Sequence, residues 1–143
     1  MDLSDIDSGF SYFRGKLGSA VATEDFSLID DGRHPKGIAS KKIDDEGVPK
    51  KETQLIEDGV LQNYRCDTYY SNKLSSSIRE FVSTGNGFRL GADPGRNHST
   101  TPRIQSTNLV IKPGKLSIYE LMEDTKKGYW WVESGTRIQS TQP

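Results

Sequence analysis

Thr53-Gln54-Leu55-Ile56-Glu57-Asp58-Gly59-Val60-Leu61-Gln62-Asn63-Tyr64-Arg65-Cys66 is the stretch on which the fold turns. Two apolar runs, residues 53–57 and 60–66, flank Asp58-Gly59. A type I′ turn needs positive φ at both central positions, and Asp-Gly is one of the few pairs that adopts it readily. The spacing predicts a two-residue β-hairpin over 53–66 and, with it, antiparallel sheet.

Upstream, Phe10, Phe13, Leu17 and Val21 recur at spacings of three and four. That is one apolar face of a helix over 9–22, weakened by Gly15 and Gly18. Residues 26–29 read as a short strand stopped by Asp30-Asp31-Gly32. Residues 33–51 carry no period, and Pro35, Gly37, Gly47 and Pro49 mark them as loop.

Downstream, Tyr70 and Leu74 lie four apart, as in a short helix over 68–75. Residues 83–102 are a loop rich in Gly, Asn, Ser and Thr, and 108–112 form a strand ended by Pro113-Gly114. Ser117-Ile118-Tyr119-Glu120 fits a capping box, in which Ser117 and Glu120 each accept from the other's amide. Ile118, Leu121 and Met122 give that helix an apolar face, and Gly128 is its expected stop. A buried strand is predicted over 129–132, because the adjacent Trp130 and Trp131 would face opposite ways. The fold class is α+β: antiparallel β-sheet with a central hairpin, two or three short helices and long ordered loops.

Arg-Ile-Gln-Ser-Thr occurs twice, at 103–107 and 137–141. A period of 34 would suit a helical solenoid, but nothing else recurs at that spacing, so a chance or recombined tail is the plainer explanation.

The whole chain sets the limits. Its 143 residues suffice for one domain. Hydrophobic residues, Tyr included, make up 32%, and even with the fourteen glycines added the fraction stays below the ~45–50% of ordinary domains. The core is therefore thin, and some apolar surface is expected to meet other polypeptide. Nineteen basic and twenty acidic residues nearly cancel, which disfavours nucleic acid as a partner. No apolar run approaches the ~20 residues of a membrane span, and the acidic N-terminus has no signal-peptide pattern. A cytoplasmic location is expected. The lone Cys66 excludes an internal disulfide framework.

Six stretches share one likeness. They are Ile29-Asp30-Asp31-Gly32, Asp44-Asp45-Glu46-Gly47-Val48-Pro49, Leu55-Ile56-Glu57-Asp58-Gly59-Val60-Leu61, Ser83-Thr84-Gly85-Asn86-Gly87, Thr107-Asn108-Leu109-Val110-Ile111-Lys112-Pro113-Gly114 and Gly128-Tyr129-Trp130. In this order and spacing they resemble the C-terminal domain of the TldD/PmbA metallopeptidases, also called modulators of DNA gyrase. The likeness covers roughly residues 9–135. It implies a partial domain over 1–135, with 136–143 as a tail of uncertain structure.

The resemblance implies zinc-dependent proteolysis of peptides or unfolded proteins bound as extended strands. It also implies a homo- or heterodimer with a TldD/PmbA-type chain. Zinc in such an enzyme is held by His-Glu-x-x-x-His on a helix and by a later cysteine. This chain has only His34 and His98, neither followed by Glu. The expectation is that the metal-binding segments lie beyond both ends of the matched stretch, so no catalytic or metal residue is assigned and no cofactor is expected in this chain. Three readings are open. The chain is a part of a peptidase inactive alone, a non-catalytic binding subunit pairing with a catalytic partner, or a stand-alone interaction module.

By the same likeness, Asp44, Asp45, Glu46 and Gly47, with Thr84, Gly85 and Asn86, are candidates for the substrate cleft. The alternative is that their side chains hydrogen-bond to hold two long loops. The acidic groups Asp30-Asp31 and Asp44-Asp45-Glu46 could also suggest Ca²⁺ or Mg²⁺. EF-hand spacing is absent, however, and Asp before Gly accounts for a turn at 30–32. Thr84-Gly85-Asn86-Gly87 lacks the Gly-Lys-Ser/Thr of a phosphate loop. Cys66 reads as a buried small side chain, both histidines as solvated, and the tryptophan pair as core or interface.

Overall fold

The computed structural model describes residues 1–75, 81–89, 99–124, 127–131 and 137–141; for residues 118, 124, 127–131 and 137–141 it describes the backbone only. The chain divides into two compact units, Met1–Lys112 and Pro113–Pro143.

The first unit is built on the hairpin. β2 (Glu52–Glu57) and β3 (Val60–Leu61) pair antiparallel, with Glu57 opposite Val60. Asp58 has φ 46° and Gly59 φ 79°, so both turn residues are left-handed, as the sequence requires. Ser27 pins the turn by accepting from the Asp58 amide (3.0 Å), and the Gly59 amide donates to the Phe26 carbonyl (2.9 Å). The second arm is shorter than predicted: beyond Leu61 the chain leaves the ladder, and Arg65 instead bridges to Asp2. β1 (Leu28–Asp31) and β6 (Leu109–Ile111) complete an antiparallel sheet of order β3-β2-β1-β6. A separate ribbon pairs β4 (Gly87–Phe88) with β5 (Arg103–Ile104).

Leu55 and Ile56 are adjacent and both buried, so the sheet is covered on each face at its centre. Leu3 and Ile6 of α1 (Leu3–Ser8), Leu28, Leu61, Tyr64, Cys66, Leu74 of α2 (Thr68–Ser75) and Ile104 complete the core. Full burial of each aliphatic side chain contributes ~1.5–3 kcal/mol. α2 forms where expected, and its start is set by Asp67, whose Oδ1 accepts from the Tyr70 amide at 2.8 Å.

The helix predicted over 9–22 does not form. α1 lies just upstream and ends at Gly9 in a left-handed cap, φ 81°. Gly15 and Gly18 also have positive φ, which breaks the helix into turns. Phe13, Leu17 and Val21 still pack on the core, but Phe10 is 92% exposed. The segment instead lies along β3: Gly18 donates to the Leu61 carbonyl and Leu61 to that of Ser19. A Cβ at Gly59 would sit 2.6 Å from the Ala22 carbonyl oxygen, so the close approach needs glycine.

The first strand is also displaced, running through Asp30 and Asp31 rather than stopping before them. In the second unit, the amide of Ser117 donates to Glu120 Oε2 (2.6 Å) and that of Glu120 to Ser117 Oγ (3.3 Å), so the capping box is made and starts α3 (Ile118–Asp124). β7 (Lys127–Trp131) pairs with β8 (Arg137–Thr141), which places Gly128 inside a strand instead of at a helix stop. Burial of Trp130 and Trp131 falls outside the described side chains. The repeated pentapeptide forms β5 and the residues after it in one copy and β8 in the other, with no helical solenoid among the described residues.

Candidate functional site

Asp30 is the centre of the polar arrangement. It sits inside β1, only 1% exposed, and its carboxylate hydrogen bonds hold two other segments. Oδ2 accepts from Asn86 Nδ2 at 2.8 Å, while Oδ1 accepts from the Thr107 amide at 2.9 Å and from the Thr107 hydroxyl. A buried carboxylate is tolerable only when so satisfied. The turn expected from Asp30-Asp31-Gly32 is made by Asp31 alone, whose Oδ1 accepts from the Arg33 amide (2.9 Å).

Asn86, also 1% exposed, extends this network. Nδ2 donates to the Gln105 carbonyl (2.6 Å), Oδ1 accepts from the Thr84 hydroxyl (2.7 Å), and the Asn86 carbonyl accepts from the Gln105 amide (2.9 Å). Thr84 Oγ1 in turn accepts from the Cys66 amide at 2.9 Å. Thr84 and Asn86 thereby tie the 83–87 loop to β1, to β5 and to the chain before α2. Gly85 between them has φ 72° and faces the Pro49 carbonyl, where a Cβ would lie at 3.0 Å.

The 44–47 loop closes on the same place. Asp44, 2% exposed, accepts from the Glu46 and Val48 amides through Oδ1 (2.9 Å each) and from the Gly87 amide through Oδ2 (3.0 Å). The Asp45 amide donates to the Gly87 carbonyl (2.9 Å), and Asp45 Oδ2 accepts from the Arg89 amide (2.8 Å). Glu46 Oε2 accepts from the Thr68 amide at 2.8 Å, at the start of α2. Gly47 makes the turn with φ 81°. The two candidate loops are thus one clamp. Asp44, Thr84 and Asn86 are its interior, whereas Asp45 and Glu46 look outward into separate cavities.

Those cavities follow one segment of chain, which includes β5. A cavity of about 620 Å³ is walled by Glu46, Asp67, Tyr69, Tyr70 and residues 101–105. A second, about 180 Å³, is walled by Lys41, Asp45, Phe88 and residues 105–107. A third, about 500 Å³, lies against Phe88, Thr100, Thr101, Arg103 and Gln105. Gln105 is common to all three, so they run along residues 100–107.

Two cations drawn inward, Lys50 buried and Arg65 nearly so, were not foreseen from the sequence. Lys50 is 2% exposed, and burial holds its amine below the ordinary lysine value although Asp30 and Asp44 draw it back up. Its Cε would lie 2.1 Å from a Cβ at Gly32, so that glycine is what admits the side chain. Arg65 pairs with Asp2 (2.7 Å), and its Nη1 lies 4.0 Å from Asp30 Oδ2, buried without a hydrogen-bond partner in the described structure.

Metal ligation finds no donor set here. Among the described residues no three His, Cys, Asp or Glu side chains gather to hold an ion. The oxygens of Asp30 and Asp44 are taken by N–H and O–H donors. Cys66 is 1% exposed, its Sγ donates to the Val82 carbonyl (3.0 Å), and burial pushes its thiol up, away from the thiolate a metal needs. His34 is half-buried rather than solvated, and its Nδ1 accepts from the Lys36 amide (3.3 Å). His98 lies outside the described residues. These side chains do not fit zinc. After the 84–87 loop comes a strand and not a helix, which leaves no helix N-terminus for a phosphate.

Among the described residues no helix is long and apolar enough to cross a membrane.

An α+β domain whose sheet carries two interlocked loops and a groove along a short strand defines a class with known members. The profile of the PmbA/TldA metallopeptidase C-terminal domain matches residues 1–141, and this chain belongs to that family. A metalloprotease of Methanocaldococcus jannaschii is 36% identical over 118 residues, spanning 82% of this chain and 24% of that protein. A metalloprotease TldD homolog of Buchnera aphidicola is 33% identical over 134 residues, 93% of this chain and 26% of that protein. The crystal structure of TldE from Thermococcus kodakarensis aligns with TM-score 0.72 at 30% identity, covering 90% of this chain and 26% of that one. A Thermotoga maritima protein described as a putative modulator of a DNA gyrase gives TM-score 0.72 at 31% identity, with the same coverage. The chain spans about a quarter of the length of these relatives.

Proposed function

We propose that this chain supplies scaffold and substrate-cleft surface to a TldD/PmbA-type zinc metallopeptidase acting on peptides or unfolded proteins. By itself it is inactive. Zinc in the working enzyme is held by residues outside this chain, and the chain works in a homo- or heterodimer with a TldD/PmbA-type partner. The observation that carries the reading is the groove along residues 100–107, with Asp45 and Glu46 of the clamp on its walls. An extended polypeptide is the ligand that such a groove fits, since successive residues of a strand wall offer backbone groups as well as side chains.

Amide-resolved NMR of the isotopically labelled chain tests this. Titration with an unstructured polypeptide, such as reduced carboxymethylated lactalbumin, should shift the amides of residues 44–47 and 100–107 and leave those of β2 and β3 in place. Shifts confined to other surfaces, or none at millimolar peptide, would refute the assignment of the groove.

A further inference from the structure

The larger cavity of the groove has a chemistry of its own, and any ligand assigned to it rests on the peptide-cleft reading of that groove. Four carboxylates line it, from Asp2, Asp5, Glu46 and Asp67, against the single guanidinium of Arg103. Asp2 is already paired with Arg65 at 2.7 Å. The other three have no ion-pair partner among the described residues. Glu46 and Asp67 each accept from one neutral amide, of Thr68 and Tyr70, which does not cancel their charge. Asp67 is 2% exposed, and its second oxygen has no hydrogen-bond donor among the described residues. That oxygen is not sealed from solvent, so on the cavity wall it is open to a donor inside the cavity.

Two further features decide what kind of donor fits. The carboxylates do not converge in a group that could hold a metal ion. Instead the wall adds Tyr69 and Tyr70, with ring centroids 5.0 Å apart and planes at 89°; Lys73 Nζ already lies 6.0 and 5.7 Å from the two centroids, so the rings offer an incoming side chain apolar contact for its stem and not a vacant seat for its charge. Five consecutive residues, 101–105, form the opposite wall. Of these, Arg103 and Ile104 form β5; neighbours in a strand face opposite ways, so lining by both means that the backbone flank of β5 borders the cavity. A free small cation would leave that polar flank unused, whereas an extended peptide uses both.

We propose that this cavity is a subsite for a lysine or arginine side chain of an extended polypeptide whose backbone lies along β5. The side chain's charge meets Asp5, Glu46 and Asp67, and its stem covers the tyrosine corner.

The test is isothermal titration of the 143-residue chain with two blocked heptapeptides that differ only at the central residue, lysine or its uncharged isostere norleucine. The lysine peptide should bind about tenfold more tightly, and the difference should shrink as salt is raised beyond physiological strength, since screening weakens exposed pairs. Asp5→Asn, which changes an exposed side chain, and Glu46→Gln, which keeps an acceptor for the Thr68 amide, should each cut the preference by about threefold, as for partly exposed pairs. Asp5→Asn should leave norleucine-peptide affinity unchanged. If the two peptides bind equally, the cationic subsite is wrong while the peptide cleft stands. If neither binds, both readings fail.

Discussion

Asn86→Ala is the perturbation that probes the polar clamp most severely. The side chain makes three hydrogen bonds, to Asp30 Oδ2, the Gln105 carbonyl and the Thr84 hydroxyl, and the residue is 1% exposed. Truncation leaves the Gln105 carbonyl without that donor and deprives a buried carboxylate of one of its partners. The Thr84 hydroxyl can turn to the Cys66 carbonyl, 3.0 Å away, and so costs little. Each buried group left unsatisfied costs ~1–3 kcal/mol, more when charged. The sum is ~3–5 kcal/mol, a large share of the ~5–15 kcal/mol that holds a typical domain. Urea denaturation followed by circular dichroism reads it. With a slope of ~2 kcal/mol per molar, the midpoint should fall by roughly 2 M. Asn86→Asp sharpens the test, because it keeps the shape and sets a second carboxylate against Asp30. Like-charge repulsion and burial raise the new group's pKa above its unfolded value. Its penalty is therefore full above the raised folded value and relieved as pH falls through it, so this variant should gain on wild type as pH falls from that value toward the ordinary ~4 of an unfolded aspartate. A midpoint shift below ~0.3 M for Asn86→Ala, or no pH dependence for Asn86→Asp, would refute the clamp as the keystone.

Three other outcomes rest on the same geometry. Gly59→Ala meets positive φ and a carbonyl at 2.6 Å, and should cost ~2–3 kcal/mol, lowering the thermal midpoint by roughly 10 °C or more in calorimetry; a loss under ~2 °C would mean that residues 18–22 do not lie against the turn. Burial depresses the amine of Lys50, so the folded state resists its protonation: wild-type stability relative to Lys50→Met should rise from the depressed folded value up to the ordinary 10.5 and be flat below it, measured as urea midpoint against pH. Native Cys66 should react with a disulfide reagent at pH 8 only as fast as the chain opens, so accessible-thiol rates would contradict its burial.

What the sequence disclosed was mostly local chemistry. Asp58-Gly59 specified the turn, Ser117 with Glu120 specified the cap, and Tyr70 with Leu74 marked α2, because each depends on residues within a few positions of one another. The helix expected over 9–22 failed for a related reason: spacing alone cannot tell a helical face from turns that happen to deliver Phe13, Leu17 and Val21 to the core. The three glycines nearby, Gly9, Gly15 and Gly18, outweighed it. The polar centre was hidden because its partners are distant in sequence. Asp30 meets Asn86 and Thr107, 56 and 77 residues away, and read from neighbours alone it looked like a turn residue. Lys50 and Arg65 gave no local sign of burial. Asp67 did: an Asp ahead of a helical run is an N-cap signal that could have fixed the start of α2. Family likeness, not spacing, singled out the loops at 44–47 and 84–86. Their interlocking could not be read from either loop alone.

What separates this chain from an intact peptidase, on the function proposed, is that it binds substrate without carrying the metal chemistry. The direct measurement is metal analysis of the purified chain after incubation with zinc and gel filtration, paired with cleavage of a fluorogenic unstructured polypeptide by the same sample. Far less than one zinc per chain and no cleavage above a buffer control are expected. One zinc per chain, together with cleavage abolished by chelator and restored by zinc, would contradict the function proposed.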